Sequence, residues 1–294
     1  MALAPRAVVV YRRTELDELL ATHGTRGQAA FFLRSRGRDI DDVQSRHDAV
    51  QRARTRVDAA IPVDWRRGLV ERTDLSRFVF GDEDVIVVVG QDGLVANVAK
   101  YLEGQPVLGV NAEPDRNPGV LVNHRADEVE KILGHPDALH RVTHCTMVEA
   151  ELDDGQMLRA LNEIYIGHPS HQSARYRIEF GAGAERQSSS GVLVGTGTGG
   201  TGWCRSVWLE RGSRLALPAR PDPDLCWFVR EAWPSPATGT DLTEGLLTAG
   251  EELGIVAESD LVVFGDGIES DALTMSWGQR IRVRRAPVAL RLVD

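Results

Sequence analysis

Two short segments of this chain carry the residue types best suited to chemistry. The first is Gly90-Gln91-Asp92-Gly93, which directly follows a run of β-branched residues. Glycines there permit a tight turn and a close backbone approach to a phosphate, and a helix starting near Leu94 would offer unpaired N–H groups and the positive end of its dipole. Asp92 can reach into such a turn, although a Gly-Asp-Gly turn after a strand can equally be no more than a turn. The second segment, residues 188–203 (SSSGVLVGTGTGGTGW), alternates Gly195, Gly197, Gly199, Gly200 and Gly202 with Thr196, Thr198 and Thr201. So many glycines give up conformational entropy on folding. Their amides and the threonine hydroxyls suit a nucleotide, a flexible Gly/Thr loop being the plainer reading. Between the two segments, Asn162 and Glu163 precede the strand-like Ile164-Tyr165-Ile166 and by themselves are a polar pair at a strand edge.

Other reactive side chains fit no site pattern. His168 and His171 stand three apart in a Pro/Ser loop, as exposed polar residues usually do. Cys145, Cys204 and Cys226 are widely spaced without a C-x-x-C pair and read as reduced thiols, Cys204 being a small filler within the second segment. No G-x-G-x-x-G follows the first strand, which argues against a Rossmann dehydrogenase.

The elements that must hold these segments follow from periodicity. Residues 7–11 (AVVVY) form a short buried strand, and Thr14 opens a helix with a capping-box-like start. Residues 39–57 carry many charges among sparse apolar positions at helical spacing, the pattern of a solvated helix. Residues 84–89 (DVIVVV) read as a strand covered on both faces, followed by the glycine turn, a helical stretch to Leu102 and a strand over 106–110. That is the βαβ order of a parallel sheet, whose ligands gather at the carboxyl ends of its strands. After about residue 140 short strand-like runs take over, at 176–180, 192–194, 226–229, 261–264 and 281–283. The fold class expected is an α/β N-terminal domain with a parallel sheet, residues 1–140, and a β-rich C-terminal domain, residues 141–294. A chain of 294 residues has the length for two cores.

Composition narrows the partners. With 42% apolar and 26% charged residues the chain can bury a sizeable core, and a formal charge of −9 repels a polyphosphate backbone, so nucleic acid is not expected. No apolar run approaches the roughly 20 residues that span a bilayer, and residues 1–10 lack a leader-like apolar core. A cytoplasmic protein without a membrane partner is expected.

Taken in order along the chain, the glycine turn, the Asn-Glu pair and the Gly/Thr loop resemble the G-G-D-G-T, N-E and T-G-S-T-A-Y motifs of the NAD kinase family. The resemblance sharpens toward the mitochondrial type of animals at residues 106–115 (PVLGVNAEPD), 159–167 (RALNEIYIG) and 189–199 (SSGVLVGTGTG). It runs from about Asp84 to Trp203, with weaker echoes at residues 229–231 and at Phe264-Gly265-Asp266-Gly267. It implies the two domains above, and transfer of the terminal phosphate of ATP to the adenosine 2′-hydroxyl of NAD or NADH, with magnesium or another divalent metal on the triphosphate and no dedicated metal ligands. It further implies Asp92 as general base and nucleotide contacts at Gly90, Gln91, Gly93 and Asn111. Asn162 and Glu163 would hold the ribose hydroxyls. Thr198, Gly199, Thr201, Gly202, Trp203 and Ser206 would line the dinucleotide site, Trp203 standing in the family's tyrosine position as a stacking face or else as a core aromatic. Asp266 would be an outer residue of the site or a plain turn residue. By analogy the protein would be a homo-oligomer, a dimer for instance. Gln91 stands where the family has its second glycine, Leu94 where it has threonine, and Ser190 where many bacterial members have aspartate. Two other readings are a kinase of the same superfamily acting on a sugar, nucleoside or lipid hydroxyl, and a non-catalytic NAD(H)-binding sensor.

Overall fold

The computed structural model describes residues 4–294; of the stretch 1–10 read for a leader, Met1, Ala2 and Leu3 lie outside the described residues. The first half of the chain supplies strands β1 (Arg6–Tyr11), β2 (Arg66–Glu71), β3 (Asp84–Gly90), β4 (Pro106–Asn111) and β5 (Val142–Cys145). Its helices are α1 (Glu15–His23), α2 (Arg26–Arg34), α3 (Ile40–Ala60), α4 (Asp92–Ala99) and α5 (Val129–Leu133). The sheet runs β2-β1-β3-β4, then the final strand Leu290–Val293, then β5. The pairs β1–β2, β1–β3, β3–β4 and β4 with the final strand are all parallel. The interior strands β3 and β4 are buried almost throughout, whereas β2 at the edge is exposed at Arg66, Arg67 and Leu69 and buried only at Val70, as a covered interior and an open edge require. Its core packs Val85, Val87, Val89, Leu108 and Val110 against Ala53 and Val57 of α3 and Val129 and Leu133 of α5. The capping box foreseen at Thr14 is present, with Asp17 as its reciprocal partner.

The second half supplies β6 (Val148–Leu152), β7 (Met157–Ala160), β8 (Glu163–Gly167), β9 (Ala174–Phe180), β10 (Gly183–Ser189) and β11 (Gly191–Gly195), then α6 (Trp203–Arg211). There follow β12 (Leu225–Arg230), β13 (Glu244–Leu247), β14 (Leu253–Ala257), β15 (Leu261–Gly265), β16 (Ile268–Met275) and β17 (Arg280–Arg285). They form two six-stranded sheets, β10-β9-β14-β17-β6-β7 and β13-β12-β11-β8-β15-β16. In β9, Ala174, Tyr176 and Ile178 turn inward and alternate with exposed Arg175 and Arg177, so the strand carries the period of two that a half-covered sheet needs. Those residues share one apolar core with Ile164, Val192, Trp227 and Val263 from the other sheet.

The chain divides into two compact units, and neither is continuous. The first holds the chain through Val98, Gln105–Thr143 and Arg291–Asp294; the second holds Ala99–Gly104 and His144–Leu290. Where the sequence reading places one division after residue 140, the last residues return to the first unit because Arg291 and Leu292 pair with β4. Among the described residues no helix is long and apolar enough to cross a membrane.

Candidate functional site

In the first unit, β3 delivers the chain into Gly90-Gln91, and α4 begins at Asp92 rather than near Leu94. Asp92 is therefore a first-turn helix residue, where a carboxylate is favoured by the dipole. Its side chain faces a loop that sequence reasoning missed. Oδ1 accepts the backbone N–H groups of Val120 (2.9 Å), Leu121 (2.7 Å) and Val122 (3.0 Å), and Oδ2 accepts that of Val120 at 3.0 Å. Gly109 of β4 lets this loop lie close, because a Cβ there would collide with the Leu121 carbonyl. The available signal was Pro118-Gly119, a turn pair just upstream of three apolar residues. Leu94 is buried, so its departure from the family threonine fills core, while Gln91 is exposed. A Cβ at Gly93 would meet nothing within 4 Å, which leaves its backbone open to an approaching group. Asn111 is committed to its own loop: its amide donates to the Asn117 carbonyl (2.8 Å) and its Oδ1 accepts the Glu113 N–H (3.0 Å).

In the second unit, Asn162 and Glu163 sit where β8 begins, and their backbone is gripped from two sides. Thr196 donates its backbone N–H to the Asn162 carbonyl (2.9 Å) and its hydroxyl to the Leu161 carbonyl (2.6 Å). Asp266, in the left-handed region at φ 53°, accepts the N–H groups of Leu161 (2.8 Å) and Asn162 (2.7 Å) on its carboxylate, and its own N–H donates to the Glu163 carbonyl at 3.1 Å. Asp266 is thus a positioning residue for the Asn-Glu pair, more than a plain turn residue. The side chains of Asn162 and Glu163 themselves make no hydrogen bond among the described residues. Burial, reinforced by the charge of Asp266, pushes the Glu163 carboxyl up to about 7. Burial also raises Asp266 to about 6, against the pull of the Leu161 and Asn162 amides and of Lys100. Lys100 is itself buried and ion-paired with Asp271 at 2.8 Å.

The Gly/Thr loop continues from the same grip. The Thr196 hydroxyl accepts the N–H groups of Thr198 (3.1 Å) and Gly199 (3.3 Å), and the Thr201 hydroxyl donates to the Thr198 carbonyl at 2.9 Å. Part of the glycine density has a packing cause. A Cβ at Gly199 would strike the Asn162 carbonyl, and one at Gly197 the Ala219 carbonyl. Among the described residues the Thr198 hydroxyl is buried without a hydrogen-bond partner, a state that costs about 1–3 kcal/mol and that a ligand polar atom would relieve. Gly202 precedes α6, on which Trp203 is half-buried and Ser206 is exposed. Trp203 stacks on Tyr165, with ring centres 5.4 Å apart and planes at 18°, and the Arg230 guanidinium lies 5.2 Å from its centroid. Cys204 lies buried below; its hydrogen bond with Cys226 and burial push the thiol well up, which suits a filler and not a nucleophile.

No protein-family model matches the chain. Over 98% of its length it superposes on an NAD kinase from Archaeoglobus fulgidus in complex with ATP, with a TM-score of 0.56, 19% identity and 93% of that chain covered. A yeast NADH kinase complexed with NADH superposes with a TM-score of 0.59 at 15% identity, over 98% of this chain and 83% of that one. The fold is that of the NAD kinases. Sequence likeness points the same way. The protein named "Probable NADH kinase" of Oryza sativa subsp. japonica is 27% identical over 219 residues, 66% of this chain and 65% of that one. An NAD kinase of Rickettsia bellii is 34% identical over 130 residues, 42% of this chain and 49% of that one. The mitochondrial NAD kinase 2 of Homo sapiens is 25% identical over 205 residues, 52% of this chain and 44% of that one. The chain thus spans under two thirds of the length of each of these sequence relatives.

Proposed function

We propose that this chain is an NAD kinase, transferring the terminal phosphate of ATP to the adenosine 2′-hydroxyl of NAD or NADH. The observation that carries the proposal is the Asn162-Glu163 pair: its backbone is fixed by Thr196 and Asp266 while both side chains are left without a partner among the described residues. An amide and a carboxylate so presented suit the two hydroxyls of a ribose. The adjoining Gly/Thr loop, with the unsatisfied Thr198 hydroxyl, suits the rest of the dinucleotide. The ligands named for the two structural neighbours, ATP and NADH, are those this reading requires.

In this reading Asp92 orients and deprotonates the attacking hydroxyl. Of its two oxygens Oδ1 holds three amides and Oδ2 one, so Oδ2 retains a lone-pair direction for a substrate O–H. Phosphoryl transfer rests on positioning and charge neutralisation. Magnesium or another divalent ion would supply the neutralisation, arriving on the triphosphate. Among the described residues no three His, Cys, Asp or Glu side chains converge as a preformed metal cage. A cytoplasmic homodimer belongs to the same proposal.

The amide contacts of Asp92 also favour a second reading, a sensor that binds NAD(H) without turnover. Incubation of the purified chain with NAD, ATP and magnesium, followed by chromatography, separates the two. NADP with an equal yield of ADP is expected; bound NAD with no product selects the sensor.

A further inference from the structure

Within the first unit, the face of α3 bearing Ser45, Ala49 and Ala53 lines a cavity of about 350 Å³. The other wall is the chain leaving β4, residues 111–116, together with residues 125–127. This is the carboxyl end of a parallel strand, where open α/β sheets place their ligands. The small side chains of α3 make the room, and the volume lies at the lower end of small-molecule sites, about 300–1,000 Å³.

Charge identifies the kind of occupant. Arg46, Arg52, Arg56, Arg116 and Arg125 line the cavity against only three carboxylates, Glu113, Asp115 and Asp127. Two of these carboxylates are engaged, Glu113 by Arg46 at 3.0 Å and Asp127 by Arg125 at 3.6 Å, while Arg116 turns to Asp42 at 2.7 Å. Arg52 and Arg56 make no hydrogen bond or ion pair among the described residues. They stand one helical turn apart on α3, where like charges repel in the absence of a shared partner. A chain with a formal charge of −9 concentrates positive charge here against its overall composition.

We propose that this cavity binds a small phosphate-bearing anion, gripped by Arg52 and Arg56 from α3 and by the guanidiniums of the facing loops. Guanidinium forks match phosphate oxygens in pairs. The volume fits a pyrophosphate or a sugar phosphate. None of its arginines belongs to the glycine turn, the Asn-Glu pair or the Gly/Thr loop, but Asn111, a nucleotide contact in the NAD kinase reading, lines the same cavity.

The test is calorimetric titration of the full chain at low ionic strength with inorganic pyrophosphate and, separately, with glucose 6-phosphate. The comparison is the double variant Arg52→Ala, Arg56→Ala, in which alanine preserves the helix and circular dichroism verifies the fold. The parent is expected to bind one equivalent of at least one probe, and the variant to bind it roughly tenfold or more weakly, as loss of charge-assisted contacts implies. Tighter binding of glucose 6-phosphate assigns the site to phosphate esters, and tighter binding of pyrophosphate to the inorganic anion. Absence of saturable binding of either probe, or equal affinity of parent and variant, overturns the proposal.

Discussion

The carboxylate of Asp92 takes three backbone amides from residues 120–122, so a substitution there acts on a loop as well as on any substrate. Asp92→Asn keeps one acceptor oxygen but turns an N–H group toward at least one amide. It should lower unfolding free energy by about 1–3 kcal/mol, the cost of leaving such groups unsatisfied, while turnover falls by roughly two to four orders of magnitude. Denaturant titration reads the first and initial rates the second; a folded variant with near-parental turnover would show that Asp92 is no base. The raised carboxyl of Glu163 gives a second prediction. In the unfolded chain it titrates near its ordinary value of 4.5 and in the folded chain at about 7, so folding favours its protonated form. Stability from this group is complete below the unfolded value and is lost as pH rises through 7. Glu163→Gln should therefore flatten the decline in unfolding free energy between about pH 5 and 7, and a variant with the parental slope would place the titration elsewhere. Asp92 and the Asn-Glu pair were legible as residues, since their types and order carry the resemblance. Their partners were not. The amides on Asp92 belong to a loop with no polar signature of its own, and the grip of Asp266 on residue 162 spans a sequence separation of 104.

Among the elements, α6 and the loop before it carry the clearest test. Trp203 already stacks on Tyr165 and lies near the Arg230 guanidinium, so part of its ring surface is committed to the protein. An aromatic contact contributes about 0.5–1.5 kcal/mol beyond its buried area, and Trp203→Ala should weaken NAD binding by roughly tenfold with little change in ATP affinity. Unaltered NAD affinity in a folded variant, measured by calorimetry, would make the indole a packing residue for Tyr165. Strands were readable because β-branched runs and alternation report burial directly, as in β3 and β9. The start of α4 was misplaced because Gly-Gln-Asp-Gly reads as a turn, whereas the amides of the facing loop anchor Asp92 in helical register. The glycine density after β11 was read as a ligand signature, and close backbone packing against Asn162 and Ala219 accounts for part of it. Packing of that kind depends on distant residues and leaves no periodicity in the sequence.

On the scale of the whole molecule, the parallel α/β sheet and the antiparallel β-rich unit were both foreseeable from the change in texture near residue 140. The discontinuity of the units was not, because the short final strand, Leu290–Val293, carries no local mark of which sheet it joins. The likeness in fold to an NAD kinase and an NADH kinase covers 98% of the chain, and the chemistry proposed for it comes down to one bond. Phosphorus-31 NMR of NAD incubated with the purified chain, ATP and magnesium follows that bond without coupling enzymes. A new phosphomonoester signal that correlates with the adenosine H2′ proton and grows in step with ADP is expected. A spectrum in which NAD stays unchanged while ATP is consumed, or in which neither changes, would contradict the proposed chemistry.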